Sequence, residues 1–151
     1  MKKIHCIILF LTLFSITLQA TQLTDAISAK NITMALFLLG TDYSFPNEPE
    51  SISSFKYTPL MLACSCELVD VVNALVDRPE IEINKQNTRG ITALMFAAKS
   101  GNVEIIKILL SHRSIDTSLR DYKGKSALEW AQKSNDPKVI KLFSPKSCTI
   151  S

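Results

Sequence analysis

TPLMLACSCELVDVVNALV, from Thr58 to Val76, returns 34 residues on as TALMFAAKSGNVEIIKILL from Thr92, and after another 34 as SALEWAQKSNDPKVIKLFS from Ser126. A more distant copy, TQLTDAISAKNITMALFLL, begins at Thr21, 37 residues before Thr58. Stacked, the four runs agree in columns. The third column is Leu23, Leu60, Leu94 and Leu128, and the sixth is Ala26, Ala63, Ala97 and Ala131. Leu and Ala three apart share one helix face, and the small Ala lets a neighbouring helix come close. The first column, Thr21, Thr58, Thr92 and Ser126, supplies hydroxyls that can accept from the orphan amides of a first turn. Each unit therefore opens with a short capped helix.

A turn and a second helix follow. Gly101-Asn102 and Asn135-Asp136 are turn and cap residues, and Pro137 stands at the first helical position, where proline is best tolerated. The apolar columns beyond are Met34, Val71, Ile105 and Val139, then Ala35, Val72, Ile106 and Ile140, then Leu38, Leu75, Leu109 and Phe143. Spacings of one, three and four give that helix a broad apolar face. Polar connectors come next, INKQNTRGIT (83–92) and TSLRDYKGKS (117–126). Their Gly90 and Gly124 stand two residues before a cap, where a tight turn wants positive φ. The unit thus reads helix, turn, helix, hairpin-like finger. One such pair cannot bury its own apolar face, whereas stacked pairs share a continuous core.

With these columns in place the chain resembles the ankyrin-repeat family. The family's T-P-L-H-x-A signature is matched by Thr58-Pro59-Leu60-Met61-Leu62-Ala63 and Thr92-Ala93-Leu94-Met95-Phe96-Ala97, and more weakly by Ser126-Ala127-Leu128-Glu129-Trp130-Ala131. The resemblance implies an all-α solenoid of four stacked helix-turn-helix units with hairpin-like finger loops. Its units fall at about 21–56, 57–90, 91–124 and 125–144, with 145–151 as a C-terminal tail. Departures are visible. The signature His is missing from every copy, so its hydrogen bonds must be replaced or forgone. The period is 34, not about 33, and the connectors at 77–84 and 111–118 lack the usual Gly after the second helix. The first connector is three residues longer still and carries Lys56 where the family has Gly. Both end units have the look of caps.

Residues 1–20, MKKIHCIILFLTLFSITLQA, pair two lysines with an apolar run and a terminal Ala. That is the layout of a secretory signal peptide cleaved after Ala20, although Leu18 is larger than usual at its position. An uncleaved anchor is the alternative, but the run is short for a span and is interrupted by His5, Thr12, Ser15 and Thr17. The expectation is export to a periplasm or to the medium, with no stable membrane insertion after cleavage. The Lys-led signal and the Lys, Ile and Asn usage point to a bacterial source. Without Lys2 and Lys3 the chain has 15 basic against 14 acidic residues, which is no footprint for nucleic acid.

Catalytic constellations are not legible. Ser111, His112 and Asp116 share one connector but not the fixed cradle that a triad needs, and His112 reads as a solvated residue at a helix C-terminus. There is no glycine-rich phosphate loop and no metal-ligand or cofactor pattern. Cys64 and Cys66 lie two apart on a helix and face different ways, so they read as a small buried thiol and a partly exposed one. Asn31-Ile32-Thr33 matches a glycosylation sequon but aligns with the helix cap Asn102. A hydrolase or redox protein using His112 or Cys66 is the rival from another class.

The resemblance implies instead a non-catalytic, monomeric module that binds another protein. Such partners lie across the finger tips and the exposed face of the first helices. Those positions are Ser54, Phe55 and Tyr57 in the first finger, Thr88, Arg89 and Ile91 in the second, and Tyr122, Lys123 and Lys125 in the third. On the helices they are Ser65, Lys99 and Lys133. Phe55 and Tyr57 could equally pack the long first connector onto the stack. A regulatory or protective subunit of one exported enzyme is a narrower version of the same reading.

Overall fold

The computed structural model describes residues 22–33, 35 and 55–144. Helix α1 spans 22–28, with helical residues again at 32, 33 and 35. Three helix pairs follow: α2 (Pro59–Ser65) with α3 (Val69–Val76), α4 (Ala93–Ser100) with α5 (Val103–Ser111), and α6 (Ala127–Gln132) with α7 (Pro137–Leu142). Among the described residues there is no strand. The first helices pack in a row, α2 on α4 and α4 on α6, and the second helices form a parallel row, α3 on α5 and α5 on α7.

The columns read from the sequence are the core. Leu23, Leu60 and Leu94 are buried, as are Ala26, Ala63, Ala97 and Ala131. So are Val71, Ile105 and Val139, together with Ala35, Val72, Ile106, Leu75 and Leu109. In the last unit Leu128, Ile140 and Phe143 are only half-buried, because among the described residues no further unit covers that face. Met34 and Leu38 lie outside what can be described at side-chain level, as do the residues of the signal segment, the long first connector up to Ser54, and the tail.

In the three described caps the missing signature His is replaced in two ways. Thr58 Oγ1 accepts from the Met61 amide at 3.3 Å, and the Met61 sulfur accepts from the Thr58 amide at 3.5 Å. Sulfur is a weak acceptor, so this is a soft version of a capping box. Thr92 Oγ1 likewise accepts from the Met95 amide at 3.3 Å. In the last unit the Glu129 carboxylate accepts from both the Ser126 amide (2.7 Å) and the Ser126 hydroxyl (2.8 Å). Ser126 thus donates through its side chain where Thr58 and Thr92 accept.

The turn between paired helices adopts a left-handed residue in every unit: Lys30 (φ 55°), Glu67 (φ 60°), Gly101 (φ 78°) and Asn135 (φ 55°). Only one is glycine, so three units hold an L side chain where Cβ is crowded. The finger turn repeats the pattern at Lys56 (φ 52°), Gly90 (φ 71°) and Gly124 (φ 73°). Lys56 therefore takes over the family's glycine without changing the turn.

Candidate functional site

The second and third fingers are each closed by their own backbone and by one buried side chain. Asn87 donates its amide to Ile91 O and accepts from the Gly90 amide, and Asp121 does the same with Lys125 and Gly124. Inside the loop, Asn87 Oδ1 accepts from the amides of Arg89 (2.9 Å) and Ile91 (3.0 Å). Thirty-four residues on, Asp121 Oδ1 accepts from Lys123 and Lys125, both at 2.9 Å. Neighbouring fingers are tied in sequence. The Thr88 amide donates to Phe55 O at 3.2 Å, and the Tyr122 amide donates to Arg89 O at 2.9 Å. Gln86 reinforces the second seam, donating to Gly90 O (2.7 Å) and to Arg120 O (3.0 Å). The fingers are thus registered to one another, and side chains at equivalent positions fall in lines along the stack.

On this scaffold two surface regions collect the residues singled out from the sequence. The first is an aromatic ladder. Phe55 meets Tyr57 edge-on at 6.1 Å between centroids, and Tyr57 meets Phe96 at 5.6 Å. The Arg89 guanidinium lies 3.7 Å over the Phe55 ring, the geometry of a cation–π contact. Phe55 and Tyr57 thus tie the end of the first connector to the second finger and third unit, and Tyr57 packs against the core. Beside the ladder, Ser65 and Lys99 line an open groove of about 280 Å³ with Glu67, Phe96 and Ser100.

The second region is a smaller recess of about 170 Å³ between the second and third fingers, lined by Arg89, Ile91, Asp121, Tyr122, Lys123, Lys125, Trp130 and Lys133. Asp121 forms part of its floor and orients Trp130, whose Nε1–H donates to Asp121 Oδ2 at 3.0 Å. Burial raises the Asp121 pKa, but the amides of Lys125 and Lys123 and the indole outweigh it and hold the carboxyl below its ordinary value. Lys133 Nζ stands 5.3 Å from the Trp130 ring centroid, and Lys123 Nζ stands 5.4 Å from that of Tyr122. Repulsion from Lys125, and less strongly from Lys123, holds the Lys133 ammonium below the ordinary lysine value. Tyr122 is 64% exposed, a large side chain left to solvent.

Most of the expected positions are therefore at the surface, with two corrections in emphasis and one in fact. Thr88, Arg89, Tyr122, Lys123, Ser65, Lys99 and Lys133 are exposed, and Lys125 is half-buried. Ser54 lies outside the described residues. Phe55 and Tyr57 are half-buried and engaged with each other and with their neighbours. Ile91 is buried at 6% exposure and belongs to the core, so its side chain cannot serve as a finger-tip contact. It directly precedes the cap Thr92, a position where an apolar residue often packs onto the following helix.

Three residues escaped the sequence reading: Asn87, Asp121 and Trp130. For Asn87 and Asp121 the signal was present as a repeated polar position inside connectors read only as turns.

Ser111, His112 and Asp116 are not assembled into a triad. The Ser111 hydroxyl donates to Ile108 O, His112 Nδ1 accepts from the Ser114 amide at 3.2 Å, and Asp116 accepts from Ser118. The three side chains are each engaged elsewhere. His112 is the half-buried C-cap of α5, not a fully solvated residue. Burial of Cys64 pushes its thiol pKa far up, against thiolate chemistry, and Cys66 is partly exposed as expected.

Paired helices stacked in two rows, with registered fingers along one edge, define a helical-repeat solenoid. Residues 60–151 match the family model described as ankyrin repeats, in three copies, and the chain belongs to the ankyrin-repeat family. That span begins in α2, so it covers the three complete helix pairs. No protein with a curated description matches the chain. Ankyrin repeats generally mediate protein–protein interaction, and the family is typically non-catalytic. Among the described residues no helix is long and apolar enough to cross a membrane.

Proposed function

We propose that this protein is an exported, non-catalytic binding module whose single job is to hold another protein across its second and third fingers and the adjoining first helices. The observation that carries the reading is the recess between those fingers, where a 64% exposed Tyr122 stands beside Arg89, Lys123, Lys125 and Lys133. Tyr, Trp and Arg supply most of the binding energy in protein interfaces when they lie on a rigid platform. Here the platform is fixed by Asp121 and by the finger-to-finger hydrogen bonds. Export rests on the Lys-led apolar segment of residues 1–20, and the module acts as a monomer on its partner.

The test is crosslinking in the cell of origin, followed by partner capture with Tyr122→Ala and Lys123→Ala. Truncating a hot-spot side chain costs about 2 kcal/mol or more of binding, over tenfold in affinity, so capture should fall while helicity stays intact. His112→Ala is the control. Lost function in His112→Ala, with capture intact in the finger variants, would turn the reading toward an enzyme.

A further inference from the structure

Outside residues 1–20 the chain is nearly balanced, with 15 basic and 14 acidic residues, yet the recess between the second and third fingers is not. Four cations, Arg89, Lys123, Lys125 and Lys133, face it against one carboxylate, Asp121. That carboxylate is already committed: Oδ1 accepts two backbone amides and Oδ2 accepts the indole of Trp130. Glu129, the neighbour of Trp130 in sequence, is committed to Ser126 and Arg120. Among the described residues the positive charge is therefore concentrated and answered only by Asp121. Repulsion from Lys125 lowers the Lys133 pKa from its ordinary value, and an incoming anion would relieve that repulsion.

Resting on the binding reading above, we infer that this recess takes a carboxylate-bearing segment of the partner protein, an acidic side chain seated among Lys123, Lys125 and Lys133 with its apolar neighbour on Tyr122 and Trp130. Size favours a side chain over a small-molecule ligand. The recess encloses about 170 Å³, whereas pockets for drug-sized ligands run from about 300 Å³ upward. The aromatic faces fit a peptide in which acidic and apolar residues adjoin. Electrostatic complementarity of this kind sets partner choice and association rate.

Trp130 is the only tryptophan in the chain and lies in the recess, so its emission reports occupancy directly. The full chain is titrated with a blocked decapeptide carrying four glutamates around a central leucine, and with the same peptide carrying glutamine at those four positions. The expected result is a saturable Trp130 response to the acidic peptide, weakened by added salt, and at least tenfold weaker binding of the glutamine peptide. Lys125→Gln/Lys133→Gln should lower affinity for the acidic peptide at least tenfold while leaving the melting temperature close to that of the wild type, because the mutual repulsion that is removed offsets the lost attraction to Asp121. A merely structural role for the lysines would move the melting temperature down. Equal binding of the glutamine peptide, or undiminished binding by the double variant, would overturn the inference. So would tighter binding of a phosphoserine version of the peptide or of oligothymidylate. Native crosslinking separates the two levels. If Tyr122→Ala loses the partner while Lys125→Gln/Lys133→Gln keeps it, protein binding stands and the acidic-segment assignment fails. If the wild type binds the peptide but crosslinks to no protein, the broader reading fails and the chemistry of the recess stands.

Discussion

The indole of Trp130 donates to Asp121 Oδ2 at 3.0 Å, and 34 residues earlier the same two positions hold Phe96 and Asn87. Phe96 has no N–H to offer. Asn87 keeps the loop-closing role of its Oδ1, but among the described residues its buried Nδ2 has no hydrogen-bond partner. One finger is anchored to its helix through a polar pair and the other is not.

Asp121→Asn should therefore do more harm than its small change in shape suggests. The amide oxygen can take over one set of contacts, but an NH₂ and the indole N–H then meet as two donors. A buried unsatisfied donor costs about 1–3 kcal/mol, read as a lower urea midpoint at pH 7. The pH profile gives a second check. The folded pKa of Asp121 is depressed, so its contribution is present above the unfolded value of about 3.9 and is lost as pH falls through the lower folded value. The gap between wild type and variant should be constant near neutrality and narrow below about pH 4.

Gly90 and Gly124 occupy the same turn with almost the same φ, yet they should not tolerate alanine equally. A Cβ on Gly90 would sit 3.1 Å from Asp121 Cα and 3.2 Å from both Arg120 O and Tyr122 N, all backbone of the next finger. At Gly124 nothing lies within 4 Å. Gly124→Ala should carry only the left-handed penalty, about 1–2 kcal/mol. Gly90→Ala adds a clash that backbone cannot easily relieve and should lower the melting temperature further. Equal effects would mean that the fingers are not in contact at this seam.

The left-handed turn between helices offers the opposite experiment. Glu67 is exposed at φ 60° where the next unit has Gly101 at φ 78°. Glu67→Gly removes Cβ crowding but adds freedom to the unfolded chain. The first effect is about 1–2 kcal/mol and the second is about 0.5–1 kcal/mol, so a small net gain in stability is expected in chemical denaturation. A loss would show that the Glu67 side chain makes a contribution its position does not suggest.

Arg89 sits at a finger tip but is not idle in the folded state. Its guanidinium lies 3.7 Å over Phe55, an exposed cation–π contact of about 0.5–1 kcal/mol. A double-mutant cycle over Arg89→Ala and Phe55→Leu should show a coupling of that order. Additive effects within about 0.3 kcal/mol would mean that the stacking contributes nothing and that Arg89 is free to serve a partner alone.

Much of this fold was legible because a stacked repeat writes each interior position several times. Leu60, Leu94, Ala63 and Ala97 had to be core, since one register explains them all, and Gly90 announced its turn by sitting two residues before Thr92. The surface gave less. Ile91 looked like part of a polar turn because its neighbours are Arg89 and Gly90, but backbone closure by Asn87 turns its side chain inward. Asp121 looked like a turn residue as well. Its pairing with Trp130 spans nine residues and depends on how the finger folds back over the first helix, which no local pattern encodes. Phe55 and Tyr57 were ambiguous for the same reason: their partners, Arg89 and Phe96, are more than thirty residues away.

Among the described residues the backbone-to-backbone hydrogen bonds between fingers run one way, each later amide reaching back to an earlier carbonyl: Thr88 to Phe55, then Tyr122 to Arg89; only the Gln86 side chain reaches forward, to Arg120 O. That gives the array a polarity unlike a symmetric stack. Removing the last finger would leave Arg89 with a vacant carbonyl, which water satisfies readily. Removing the first would take the Phe55 carbonyl from the Thr88 N–H, and among buried backbone groups an N–H without an acceptor is rarer than a C=O without a donor. At this seam, shortening or lengthening the array is gentler at its trailing end than at its leading one, so variation in repeat number has a natural side on which to occur.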